Sequence, residues 1–83
     1  MKGTIKIYIS NELRALRAKK NKTIIELSNE IGINKDTISR YENGNISINV
    51  DILEKFLNYY NIDFDIFFKN VCANKHNIKE KEE

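Results

Sequence analysis

Gly32 and Gly44 bracket a stretch with room for one short helix and a sharp turn at either end. Between them lie Ile33, Asn34, Lys35, Asp36, Thr37, Ile38, Ser39, Arg40, Tyr41, Glu42 and Asn43. Glycine suits the left-handed turns that start and stop such a helix, and Asn34 is a good N-cap. At about 100° per residue, Ile38 and Tyr41 fall on one side, whereas Asp36, Ser39, Arg40 and Asn43 fall on the other. The first side belongs in a core, so Tyr41 reads as packed rather than displayed. The second holds groups that meet base edges and phosphates. The pattern is that of a recognition helix carried in a helix-turn-helix.

Charge follows the same division. The chain has 83 residues and a formal net charge of +2. Residues 1–44 carry nine Lys/Arg against five Asp/Glu, and residues 45–83 carry five against seven. The basic half contains the outward helix, the asymmetry expected of a protein that meets phosphate with one face. One domain with one small core fits this length. No run approaches the ~18 apolar residues of a membrane span, and the start lacks the charged-then-apolar order of a signal peptide. A single cysteine cannot staple the fold internally, so the expected setting is reducing and cytoplasmic.

Along the chain, Ile5, Ile7 and Ile9 alternate with Lys6 and Tyr8, a period-two pattern that predicts an extended segment over residues 1–9. A lone strand is not stable by itself. It either pairs with the same strand of a second subunit, or lies along the domain with Ile9 in the core. Helix 1 is expected over about 11–20 with Ser10 as N-cap, Leu13 and Leu16 facing inward and Asn21 ending it. Thr23 and Glu26 form a capping box for helix 2, which reaches about Ile31 through Ile24, Leu27 and Ser28. Helix 3 spans about 35–43. Helix 4 spans about 50–60, with Asn49 as cap and Val50, Leu53, Phe56, Leu57 and Tyr60 as its stripe. After Asn61, a short helix 5 holds Phe64, Phe67 and Phe68. The remainder, 69–83, reads as a polar, mobile tail. The expected organisation is thus 1–9 extended, 10–68 folded and 69–83 tail.

With the helices placed, residues 23–44 resemble the Cro and phage-repressor type of helix-turn-helix, the lambda-repressor-like family. The likeness is carried by Leu27-Ser28, Ile31-Gly32-Ile33, Thr37-Ile38-Ser39-Arg40-Tyr41-Glu42 and Asn43-Gly44. It extends upstream through Leu13, Leu16 and Arg17, and downstream through Leu53, Phe56, Ile62, Phe64, Phe67 and Phe68. The resemblance implies an all-α, five-helix domain, to which the N-terminal pattern would add at most a short β-strand. It further implies binding of duplex DNA through the major groove, typically as a dimer on a two-fold symmetric operator. Family positions that touch bases correspond to Lys35, Asp36 and Arg40, with Thr37, Ser39 and Asn34 close by. Asn43 and the start of helix 2, at Thr23 and Lys22, match phosphate contacts. Arg17 and Glu42 match a partly buried salt bridge that fixes the pitch of helix 3. Two departures stand out: Ile24 occupies a place where a Gln often holds phosphate, and Lys22 replaces a usual apolar residue.

Each site has a plainer reading. Arg40 can bind guanine bidentately, or it can pair with Asp36 one turn earlier. Asp36 can accept from cytosine, orient its neighbours, or repel phosphate and so sharpen specificity. Three phenylalanines within five residues exceed what one side of a short helix buries, which suggests Phe67 and Phe68 as dimer contacts beside Ile5 and Ile7. Cys72 and His76 stand four apart, but no further Cys or His completes a zinc site. No Ser-His-Asp set or phosphate-cradling glycine loop is present, so no enzyme, cofactor or metal is expected. Two functions follow from the sequence. The first is a sequence-specific DNA-binding regulator, a repressor in the expected case, acting as a homodimer without membrane contact. The alternative is an antitoxin or similar module that binds a partner protein through its N-terminal segment or tail.

Overall fold

The computed structural model describes the backbone of residues 4–82 and the side chains of 5–73. Five helices follow in order: α1 (Thr4–Lys19), α2 (Ile24–Ile31), α3 (Lys35–Asn43), α4 (Val50–Tyr60) and α5 (Phe64–Glu82). α1 packs on α3 and α5, and α2 packs on α3 and α4. The core lies where these faces meet, with Leu13, Leu27, Ile38, Phe56 and Phe67 fully buried. Fully burying a side chain of this kind contributes about 1.5–3 kcal/mol, and five of them from five different helices tie every element to one centre.

The helix ends follow local rules. Thr23 caps α2 through a complete capping box. Asn34 caps α3 by accepting from the Asp36 N–H at 2.8 Å, and Asn49 caps α4 by accepting from Ile52. Gly32 closes α2 at φ +80° and Gly44 closes α3 at φ +74°. A Cβ at Gly32 would meet nothing within 4 Å, so backbone conformation alone asks for glycine there. Asn21 and Asn61 take the same left-handed region at φ 59° and 56°, which Asn tolerates better than most residues.

Three expectations are corrected. Residues 4–9 are helical, not extended: α1 starts at Thr4 and crosses the 9/10 boundary without a break. Five residues of alternation compete with a longer helical spacing, in which Ile5, Ile9, Leu13 and Leu16 recur every three or four positions. A helix also satisfies its backbone internally, which an unpaired strand does not. Ser10 is therefore no cap. It is buried, and its hydroxyl donates to the Lys6 carbonyl at 2.9 Å. Next, α5 does not stop near Phe68. Val71, one turn beyond Phe67, is buried against the core and carries the helix on through residues expected to be tail. Finally, Phe67 is fully buried within one chain and is unavailable as a dimer contact. The rest of the proposed tail, from residue 74, and His76 with it, falls outside the described side chains.

A polar tie joins α2 to α4. The Glu30 carboxylate accepts from the Tyr59 hydroxyl and from the Lys22 ammonium, the latter at 2.9 Å. Lys20 adds its ammonium over the Tyr59 ring, 5.2 Å from the centroid. The Tyr59 hydroxyl and then Lys22 hold the Glu30 carboxyl below its ordinary range. A depressed folded pKa means that the tie is complete above the ordinary carboxylate pKa and is lost as pH falls through the folded value. The melting temperature should accordingly fall further between about pH 6 and about pH 3.5 in the wild type than in Glu30→Gln. Parallel curves for the two proteins would show that this tie contributes nothing to folding.

Candidate nucleic-acid interface

α3 has nine residues, too few for an independently stable helix in water. Its position comes from what holds its inner side. Ile38 is fully buried. Tyr41 packs inward, its ring edge-on to Phe56 at 6.2 Å and 89°. At the front, the Ser28 hydroxyl donates to the Ile33 carbonyl at 2.6 Å and stitches α2 to the turn. At the back, Glu42 is 3 % exposed and both its carboxylate oxygens receive Arg17. Arg17 Nε lies 2.9 Å from Oε2, and Nη2 lies 2.9 Å from Oε1. The third guanidinium nitrogen donates to the Lys22 carbonyl at 2.9 Å, so one side chain joins α1, the α1–α2 turn and α3. Hydrogen bonding to Glu42 raises the Arg17 pKa further above its already high value, and the guanidinium remains charged throughout the working pH range.

With the inner side pinned, the outer side is set. Lys35, Asp36, Arg40 and Asn43 are exposed, and Thr37 and Ser39 are half-buried between them. The Asp36 carboxylate lies 3.5 Å from the Lys35 ammonium rather than pairing with Arg40. Arg40 makes no hydrogen bond or ion pair among the described residues. Its fork of donors is directed by the helix but claimed by nothing on it. Asn43 Nδ2 donates to Ser39 Oγ at 3.3 Å, a weak bond that a stronger acceptor would displace.

The phosphate candidates at α2 are more occupied. Thr23 accepts from the Glu26 N–H and gives its own N–H to the Glu26 carboxylate. Lys22 is held by Glu30. Asn34 spends its side-chain oxygen on the α3 cap and keeps its amide N–H groups. Ile24, where the resemblance implied a phosphate-binding Gln, packs against the core. Of the residues expected at the interface, Lys35, Arg40, Asn43 and Asn34 therefore keep available donors, whereas the Lys22 ammonium is drawn to Glu30 and Thr23 has its backbone N–H and hydroxyl lone pair committed to the cap. Of the four dimer candidates, Ile5 and Ile7 are exposed, Phe68 is half-buried, and Phe67 is inside.

Two residues have roles that the sequence reading did not single out. Arg14, one turn before Arg17, reaches the Glu42 carbonyl with Nη1 at 3.5 Å and Asn11 with Nη2 at 2.7 Å. A cation near the C-terminal carbonyls of α3 also favours the helix dipole. Its spacing from Arg17 is the only sequence signal for this role. Ser28 gives no local sequence signal for its role, because its hydroxyl bond to Ile33 requires the turn after α2.

A helix-turn-helix family model matches residues 13–67, well over half of the chain. The chain belongs to the Cro/C1-type helix-turn-helix family. This is a class of DNA-binding transcription regulators. The matched span of the helix-turn-helix runs from Leu13 to Phe67, two of its fully buried residues. The first turns of α1 and most of α5 lie outside it. A comparison with curated proteins found no match.

The ion pair can be tested directly. Arg17→Met leaves a buried carboxylate without its cation and is expected to cost about 2–4 kcal/mol in chemical denaturation. Arg17→Met combined with Glu42→Leu should recover at least half of that loss, because an unpaired buried charge costs more than its removal. A single variant within about 0.5 kcal/mol of wild type would mean that something other than this pair orients α3.

Proposed function

We propose that this chain is a sequence-specific transcriptional repressor that inserts α3 into the major groove of duplex DNA. It acts as a homodimer on a palindromic operator, in the cytoplasm. The observation that carries the reading is Arg40, an exposed guanidinium without a hydrogen-bond or ion-pair partner among the described residues, on a helix whose roll is fixed from behind. Lys35 and Asp36 flank it on the same face as base-edge candidates, with Thr37 and Ser39 beside them. Asn43 and Asn34, at opposite ends of α3, would bind phosphate. Two subunits would set their α3 helices about 34 Å apart, one turn of B-DNA. Exposed Ile5 and Ile7 supply apolar area for contact between copies. The lone cysteine and the family's DNA target support a reducing compartment.

Selection of binding sites from random duplex DNA at two salt concentrations tests this reading. The expected product is a palindrome whose half-site spacing matches one helical turn. Arg40→Ala should weaken binding to that palindrome about 10–100-fold and leave random DNA within about 3-fold, the signature of a base contact. Equal losses on both would reassign Arg40 to a phosphate. Recovery of no motif, with binding that disappears at the higher salt, would reduce the protein to a non-specific polycation and end the repressor reading.

A further inference from the structure

We infer that Ile7 and Ser10, in the first turns of α1, are positioning residues for DNA reading: they seat the Gly44 turn and so set where the C-terminal end of α3 presents Arg40 and Asn43. The inference rests on the reading of α3 as the DNA-contacting helix. It deepens that reading by adding a part of the chain that lies outside the matched span of 13–67. The two glycine turns that bracket α3 make the case. Gly32 and Gly44 adopt nearly the same left-handed backbone, at φ +80° and +74°. Their surroundings differ. A Cβ at Gly32 would meet nothing within 4 Å, whereas one at Gly44 would lie 3.6 Å from both Ile7 Cγ1 and Ser10 Oγ. The front turn stands in solvent, and the back turn rests on α1.

Shape makes this seat. Ser10 is buried and its hydroxyl is committed to the Lys6 carbonyl, so it meets Gly44 by contact alone. Ile7 is 50 % exposed, which leaves its outer side open to a second copy while Cγ1 faces the turn. Ile9 and Ser10 share a small concavity with Tyr41, Ile46 and Ile48, which extends the support to the loop after α3. The turn is bonded to the reading residues themselves. The Gly44 N–H closes α3 on the Arg40 and Tyr41 carbonyls, and the Asn45 N–H returns to the Arg40 carbonyl at 3.0 Å. A shift of the turn is therefore carried to Arg40 and to Asn43 beside it. Arg14 reaches the same end through a long 3.5 Å contact, to which Ile7 and Ser10 add a hard surface.

One substitution made at both turns tests the seat, because Asn tolerates the left-handed conformation at either. In the full chain, Gly44→Asn should weaken binding to the palindrome selected from random DNA about 10-fold and leave random DNA within about 3-fold. Gly32→Asn should leave both within about 3-fold. Adding Ile7→Ala to Gly44→Asn opens space beside the new side chain and should recover at least ~3-fold of the loss. Adding Ile5→Ala should recover none, since Ile5 has no atom within 4 Å of that Cβ. Amide hydrogen exchange at Asn45, measured without DNA, should quicken in Gly44→Asn and slow again with Ile7→Ala. If Gly44→Asn loses its circular dichroism, Ile7→Ala alone decides: on a half-site duplex, which one subunit binds, it should weaken affinity at least ~3-fold and Ile5→Ala should not. Equal behaviour of the two glycine variants, or no recovery by Ile7→Ala, would overturn the seat and leave the repressor reading standing. A wild type that selects no palindrome would end both, whatever the exchange shows.

Discussion

Everything on the outer face of α3 depends on the forked contact between Arg17 and Glu42. Burying Ile38 and Tyr41 holds the helix against the core, but apolar contact is non-directional and tolerates rotation about the helix axis. A planar guanidinium gripping both oxygens of one carboxylate does not. The fork fixes the roll of α3, and through it the direction in which Arg40, one turn from Asp36, leaves the surface. Arg14 on the Glu42 carbonyl and Ser28 on the Ile33 carbonyl fix the two ends. A nine-residue helix thereby acquires a definite orientation that its own backbone could not supply.

The same logic explains what could be read from the sequence. The turns at Gly32 and Gly44, the Thr23 capping box and the Asn34 and Asn49 caps each depend on residues within a few positions of one another. α2, α3 and α4 were accordingly legible nearly to the residue. The start of α1 was not. Ile5, Ile7 and Ile9 satisfy a period of two over a few residues and a period near four when Leu13 and Leu16 are included. Only the surface supplied by α3 and α5 decides between those readings. The length of α5 was hidden in the same way, because Val71 stands among polar residues and its burial depends on the position of α1. Within Phe64, Phe67 and Phe68, the sequence showed that one ring had to remain outside. Which one was decided by how α5 packs, chiefly on α1, and it was Phe64, with Phe67 innermost.

At the interface, residue type was legible and pairing was not. Lys35, Asp36 and Arg40 stand out because a core rejects them, and all three are exposed. That Asp36 turns to Lys35, leaving Arg40 unclaimed, is a matter of rotamers on one helix face. That Lys22 is held by Glu30 depends on its side chain reaching along α2 from the turn before it, a contact between residues eight positions apart. Tyr59 joins the same carboxylate from α4. Long basic side chains near a recognition helix are thus poor indicators of phosphate contact until their carboxylate neighbours are known.

Tyr60 shows how the core protects the orienting pair. Its ring lies nearly parallel to Phe56 at 6.4 Å and 21°, in the same aromatic group that receives the edge of Tyr41. Its hydroxyl is buried and has no hydrogen-bond partner among the described residues. Burial first, and the nearby Glu42 charge second, push its pKa well above the ordinary phenol value. The phenol therefore stays neutral well into the alkaline range, and no second anion forms beside Arg17. An orphaned hydroxyl costs stability, on the order of 1–3 kcal/mol. The guanidinium is left with one carboxylate to grip, Glu42, and the Lys22 carbonyl beside it, and these contacts tie the roll of α3 to α1.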